Sequence, residues 1–397
     1  MRIRLKDAFD LQMGKTPARN TPSYWDGDHK WISIADIGSA GKYIATTKER
    51  ITDKAITESG IRAVPAHTVI MSFKLSIGKT AITSEEMYTN EAIMAFVSKG
   101  TYDIDTDYLY HLCCGTEWTE GTNKAVMGLT LNKATLSEKR ISLPEITEQR
   151  NIAAKFDALD NVIEKTQSEL SSLDQLVKSR FVEMFGEPEF NNKQLEIKPL
   201  GELCNVGSSK RIYQSEQTQE GIPFLRISDL VYKMDTGNDS CDLYIPVARY
   251  DELAQQGLVP VEGDILLTAR GTLGRCYIVQ ADDRFYFQDG MISWLSRYAP
   301  TITPIYIAYL FQMKGFRKQI DEMQAGSTVA YLSIDMTKKL KVMLPPLELQ
   351  NRFAAFVTEV DKSKFRIQKS LSTSRKLWTM AQIDAIMNMD FSTQRSL

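Results

Sequence analysis

Two stretches of the chain carry apolar residues at alternating steps of four and three. Ile152, Phe156, Leu159, Ile163, Leu170, Leu173 and Val177 form the first series, with polar Thr166 in register. Phe353, Val357, Val360, Ile367, Leu371 and Trp378 form the second, with Lys364 and Ser374 as its polar breaks. Such steps keep one stripe facing a partner helix, so the pattern predicts two long helices with a coiled-coil seam. Each series follows a Leu-Pro pair, Leu143-Pro144 or Leu344-Pro345. Proline ends a strand ladder and suits a helix entry. Gly186-Glu187-Pro188 then reads as the stop of the first helix. A helix from Glu148 to Phe185 would be about 57 Å long at ~1.5 Å per residue. That length suits a spacer. The simpler alternative is two amphipathic helices, each lying on its own domain. A seam of some four heptads, occurring twice, favours pairing.

The regions before the two helices are mixed. Short β-rich runs at His67–Phe73, Ala92–Val97, Asp264–Thr268 and Met291–Leu295 are separated by turn residues. The whole pattern is duplicated. Ile141 through Gln149 matches Val342 through Gln350 at an offset of 201, Ile32–Ile37 pairs with Leu225–Leu230 at 193, and Tyr108-Leu109 pairs with Tyr306-Ile307 at 198. Drifting offsets are what loops of unequal length produce, so the chain holds two copies of one unit. The expected organisation is a recognition-type domain over 1–143, a helix over 144–186, a second domain over 187–343, a second helix over 344–390 and a tail over 391–397.

Composition narrows the class. The chain has 397 residues, 43% of them hydrophobic and 25% charged, the balance of a soluble globular protein. No apolar run approaches the ~18 residues of a membrane helix, and the charged N-terminus lacks a signal-peptide core. Five cysteines at irregular spacing argue against a disulfide scaffold and for a reducing cytoplasm. With three histidines and no Cys-x2-Cys, a structural zinc site is not expected. The net charge is −2. Residues 1–143 carry 18 Lys+Arg against 17 Asp+Glu, and residues 187–343 carry 17 against 20. Any nucleic-acid contact must therefore come from local clusters.

Catalytic motifs are missing. Gly14-Lys15-Thr16 and Gly78-Lys79-Thr80 resemble the end of a phosphate loop, but Phe9 and Phe73 stand where its first glycine belongs. Glu196-Ile197-Lys198 could close a nuclease motif, yet its counterpart Met1-Arg2-Ile3 carries no acid. There is no dinucleotide fingerprint and no amino-methyltransferase tetrapeptide. Catalytic residues and metal ligands are therefore both expected to be none.

Basic, turn-rich loops do recur at matching places. Near the unit starts lie Lys15, Thr16, Arg19 and Asn20 in one copy, and Ser208, Ser209, Lys210 and Arg211 in the other. After an apolar run come Lys74, Ser76 and Lys79, matched by Arg270, Thr272 and Arg275. Asn123 and Lys124 match Ser327 and Thr328 near the unit ends, and Arg226 lies in the segment paired with Ile32–Ile37. Such side chains suit phosphate contact and base-edge hydrogen bonding. Ordinary solvated loops are the alternative, but equivalent loops in two diverged copies point to a paired DNA reader.

These residues resemble the specificity subunit of a Type I restriction–modification enzyme. The marks are Gly14-Lys15-Thr16-Pro17, Thr89-Asn90-Glu91-Ala92-Ile93, Glu183-Met184-Phe185-Gly186-Glu187-Pro188, Gly326-Ser327-Thr328, and Leu344-Pro345-Pro346-Leu347 with Gln350. Leu143-Pro144-Glu145-Ile146 departs by having a single proline. The resemblance implies an α+β fold of two pseudo-symmetric, mixed α/β target-recognition domains joined by two long helices packed as an antiparallel coiled coil. It implies a non-catalytic subunit in which each domain reads one half of a bipartite double-stranded DNA target. Partners would be two methylation subunits carrying S-adenosylmethionine, and restriction subunits using ATP and Mg2+. A stand-alone DNA methyltransferase or nuclease, or a coiled-coil protein adaptor, are the rival readings. The target sequence, its gap and the base-contacting residues are not encoded in any legible way.

Overall fold

The computed structural model describes residues 1–74, 76–118, 131–238, 240–324 and 330–387. The chain divides into two compact units, residues 1–167 with 368–397, and residues 168–367. Both long helices, Ile146–Phe185 and Leu347–Met387, contribute to both units. Among the described residues, no helix is long and apolar enough to cross a membrane.

The first unit is built on a five-stranded sheet. Its order is Phe9–Met13, Ile93–Ser98, Val69–Ser72, Thr80–Thr83 and Tyr43–Ile44, antiparallel except for the last pair. A three-stranded sheet places Trp25–Ile32 between Glu49–Ile51 and Tyr88–Thr89. Arg2–Arg4 pairs with Arg140–Ser142, tying the chain start to the entry of the first long helix. The central strands are buried over their whole length, which is why they read as continuous apolar runs rather than alternating ones.

The second unit repeats this plan. A four-stranded antiparallel sheet runs Asn205–Gly207, Ile292–Ser296, Ile265–Thr268, Cys276–Ile278. A three-stranded sheet holds Ile222–Leu225 between Tyr244–Ile245 and Tyr286–Phe287. Glu196–Pro199 pairs with Lys341–Leu344, the counterpart of the terminal ladder in the first unit.

Each long helix is pinned at its start by a buried glutamine. The Gln149 carboxamide donates to Asp103 O at 3.1 Å and Pro144 O at 2.9 Å, and accepts from Asp105 N at 2.9 Å. Gln350 donates to Thr301 O at 2.9 Å and Pro345 O at 2.8 Å, and accepts from Thr303 N at 2.8 Å. A tyrosine repeats the device one turn on. The Tyr108 hydroxyl donates to Ser142 O at 3.0 Å, and the Tyr306 hydroxyl to Met343 O at 2.8 Å. These bonds explain the Leu-Pro…Gln spacing seen in both copies. The carboxamide closes the proline carbonyl and the preceding loop together.

The helices pack against each other within each unit. In the second unit Phe353 meets Phe181 and Phe185, while Lys364, farther along, pairs with Asp174 at 2.6 Å. As residue numbers rise on one helix they fall on the other, so the two segments are antiparallel. In the first unit Phe156 meets Trp378, ring centroids 6.0 Å apart. Phe156, Val177, Phe353, Val357, Val360, Leu371 and Ser374 are buried. Leu159, Ile163, Thr166, Leu170, Leu173, Lys364, Ile367 and Trp378 are half-buried. Gly186 ends the first long helix at φ 84, and a side chain there would collide with Asn192.

Candidate nucleic-acid interface

The loops at the unit starts are joints. Gly14 lies so close to Thr89 and Asn90 that no Cβ fits. Lys15 N donates to Thr89 O at 2.8 Å, Thr16 Oγ1 bonds Glu91, and the Lys15 ammonium reaches Ser59 O. The second unit makes the same joint with other residues. Ser208 Oγ donates to Ile292 O at 3.4 Å and Ser209 Oγ to Phe287 O at 2.7 Å. Lys210 N donates to the Tyr286 hydroxyl at 2.8 Å, and Arg211 Nε to Asp289 at 2.8 Å. Two sequence marks distant in the chain, Gly14–Thr16 and Thr89–Glu91, are thus one structural feature. Its polar side chains are largely spent on intramolecular bonds.

Arg19 is exposed on the same strap and stacks 4.0 Å above Trp25 and 4.8 Å from Trp31, with Glu49 as its ion-pair partner. Asn20 beside it is exposed. Arg226 sits at the start of helix Ile227–Thr236, where it holds Asp229 at 2.9 Å and reaches Asp242 at 3.5 Å. The hydrogen bond it donates to Asp229 raises the proton affinity of this guanidinium further.

The second pair of loops is a hairpin turn built the same way twice. Ser72 Oγ, at the end of one strand, donates to Ser76 O across the turn and accepts from Lys79 N at 3.0 Å. Thr268 Oγ1 donates to Thr272 O and accepts from Arg275 N at 3.0 Å. Gly78 N donates to Ser72 O and Gly274 N to Thr268 O, both at 2.9 Å. Gly78 at φ 90 and Gly274 at φ 76 supply the left-handed backbone the turn needs. Two otherwise different turns, at Ser76–Lys79 and Thr272–Arg275, are thereby closed by the same bonds. The hydroxyls that do this, Ser72 and Thr268, were not among the residues singled out from the sequence. Their signal was a lone hydroxyl closing an apolar run at the same place in both copies.

The cations on these loops fall into two kinds. Arg275 is held by Asp235, at 2.6 and 3.3 Å, and its hydrogen bond lowers the Asp235 carboxyl below its usual range. Lys79, whose ammonium lies beside Gly38 in the equivalent helix of the first unit, is exposed and has no acidic partner among the described residues. Lys74 and Arg270 are placed differently. Lys74 lies 5.2 Å from the Phe73 ring and Arg270 5.6 Å from the Tyr331 ring, and among the described residues neither has an acidic partner. They stand at the same loop position in the two units. Asn123, Lys124, Ser327 and Thr328 lie outside the described residues.

Chemistry elsewhere is structural. Gly78-Lys79-Thr80 is a hairpin end, and Glu196 and Lys198 pair with each other at 3.2 Å on a strand. The thiols of buried Cys204 and half-buried Cys276 have proton affinity raised by desolvation, so neither is poised as a nucleophile.

A duplicated chain of two mixed recognition-type modules, each pinned by glutamine to a shared pair of long helices, defines a class of modular scaffold. The chain belongs to the Type I restriction modification DNA specificity domain family, whose profile matches residues 1–174 and 192–374. It is 24% identical over 413 residues to the Type I restriction enzyme MjaIX specificity subunit of Methanocaldococcus jannaschii, covering 94% of this chain and 89% of that one. It is 22% identical over 418 residues to the MjaVIII specificity subunit of the same organism, covering 98% and 94%. Among solved structures, the Type I restriction–modification S subunit of M. genitalium matches with a TM-score of 0.55 at 16% identity, over 97% of this chain and 96% of that one. A chain solved in work on complex assembly and conformational transition of the type I R-M system matches with a TM-score of 0.57 at 16% identity, over 97% of each. These likenesses show the shared fold.

Proposed function

We propose that each unit reads one half of a bipartite DNA target, that the paired helices set the spacing of the halves, and that the chain itself catalyses nothing. In this reading methylation subunits dock on it with S-adenosylmethionine, and restriction subunits bring ATP and Mg2+. The supporting observation is the hydroxyl-pinned hairpin turn, present once per unit and carrying an acid-free cation at the same position. An unneutralised cation gains most from a phosphate, whereas one already bonded to a carboxylate must give up that bond first.

The loop cations expected from the sequence to contact DNA therefore divide in this reading. Lys74 and Arg270 contact phosphate, while Arg275 and Arg226 hold the protein together. The test is the salt dependence of DNA binding by the chain assembled with its methylation partners. Lys74→Ala and Arg270→Ala should each reduce the slope of log K against log salt by about 0.9, one phosphate contact apiece. Arg275→Ala should lower thermal stability and leave the slope nearly unchanged. Unchanged slopes in the first two variants would remove these loops from the interface.

A further inference from the structure

In the first unit, three carboxylates, one ammonium and one imidazole meet where helix Thr106–Gly115 faces the first long helix. Lys42 lies 2.8 Å from Asp107 and 2.6 Å from Asp157. His111, only 2% exposed, has its Nε2 2.8 Å from Asp157 Oδ1. Its Nδ1 has no hydrogen-bond partner and lies 3.9 Å from Asp160 Oδ2. The ring is stacked on Phe156 at 5.2 Å, which fixes its plane.

The hydrogen-bond inventory assigns the tautomer. A carboxylate accepts, so Nε2 carries the proton toward Asp157, and Nδ1 presents a lone pair. That lone pair faces another acceptor, Asp160, with no donor between them. A second proton on the ring is opposed by burial, which lowers the proton affinity of His111. Charge leads to the same place. Asp107, Asp157 and Asp160 set three carboxyls beside the one ammonium of Lys42 in a partly buried space, where burial first, and the nearby Asp157 and Glu164 after it, raise the Asp160 carboxyl above its usual range. The Trp378 indole N–H, which closes no hydrogen bond of good geometry, favours ionised Asp160 but carries no charge to balance it.

We propose that the first unit binds a divalent ion of the zinc class between His111 Nδ1 and Asp160, with Asp157 as the neighbouring carboxylate that orients the imidazole. One donor atom from each of the three residues lies within 4.8 Å of the other two. A ring N–H given to a carboxylate while the other nitrogen is left free is the usual setting of a ligating histidine. Bonds of about 2.0–2.2 Å at a tetrahedral ion put N and O donors roughly 3.4 Å apart, so the gap needs to close by only about half an ångström. Asp157 and Asp160 lie three residues apart on one helix face, as do His111 and Cys114 on the other. An imidazole nitrogen beside a carboxylate favours zinc over magnesium or calcium, which take oxygen ligands. Sequence spacing rules count Cys and His only, so a site using two aspartates escapes them. The second unit has Tyr309 and Thr358 at the places of His111 and Asp157 and offers no counterpart.

The experiment uses the full chain, stripped by chelation and titrated with zinc chloride or cobalt chloride. One equivalent of zinc should bind, raising Tm by about 5 °C at a hundredfold excess over Kd. Cobalt should give visible absorption that His111→Gln and Asp160→Asn each abolish, while Asp53→Asn at the surface leaves it intact. Because either variant could perturb folding, 15N spectra of the three histidines in the wild-type chain supply an independent readout. The His111 Nδ1 resonance should move on zinc saturation. No saturable uptake by the folded chain, uptake unchanged in both variants, or an unmoved His111 resonance at saturation would each overturn the site.

Discussion

The two units hold their recognition modules to the long helices with different chemistry. In the second unit Phe181 and Phe185 of one helix, Phe353 of the other and Tyr306 of the module form a ring cluster, with centroids 4.9–5.5 Å apart. In the first unit, one to two turns farther along the equivalent helix, Lys42, Asp107 and His111 of the module meet Asp157 and Asp160, with Phe156 and Trp378 beneath. Ring packing gains stability from buried area and pays no charge desolvation. A half-buried ion cluster returns little net energy but fixes geometry, because a misplaced partner leaves a charge unpaired. What the copies share is the set of pins: Gln149 and Gln350, Tyr108 and Tyr306, Ser72 and Thr268. After duplication the backbone bonds had to stay, while the side chains filling the space between were free to diverge.

The comparison can be broken most sharply at the ring cluster. Phe353 is fully buried, and Phe353→Ala should cost about 3–5 kcal/mol in urea unfolding. Its counterpart Ile152 is half-buried, and Ile152→Ala should cost no more than about 1–2 kcal/mol. Equal losses would mean that the two attachments do not differ in kind. The pins should behave oppositely. Gln149→Ala and Gln350→Ala each strand buried backbone groups, so each should cost about 2–3 kcal/mol, alike within experimental error. A large inequality in the same unfolding assay would show that one glutamine is redundant.

The smallest effect concerns the turn held by Arg275. Asp235 has a lowered carboxyl pKa in the folded chain, so the pair stabilises above the unfolded value near 3.8 and is lost as pH falls through the folded one. Both groups are partly exposed, which limits the effect to about 1 kcal/mol or less. Asp235→Asn should unfold slightly earlier than the wild type at pH 7, and the difference should vanish once the pH lies below the lowered folded value, where Asp235 is protonated in either state. A difference persisting at that acidity would mean that the carboxylate charge is not what holds Arg275.

Local pattern carried the elements and the repeat. The buried strands Val69–Ser72 and Ile265–Thr268 were legible as apolar runs, the helix entries as Leu-Pro, and the seam as four-three steps. What stayed illegible depends on residues brought together across the chain. Asp235 and Arg275 are 40 residues apart, and His111 and Asp157 are 46 apart. No periodicity encodes such a pairing, so a loop arginine reads the same whether or not a carboxylate awaits it. Lys15, Thr16, Ser208 and Ser209 read as candidate DNA contacts for that reason. Their partners, at Thr89–Glu91 and Phe287–Ile292, lie some 75 or more residues on.

The central claim is that the two units read DNA separately. The most direct measurement is methylation mapping after residues 1–143 are exchanged for the matching segment of a family member with a different target, in a cell carrying the methylation subunit. The methylated sequence should change in one half only, with the other half and the gap between them unaltered. A change in both halves, or in neither, would contradict the two-reader account.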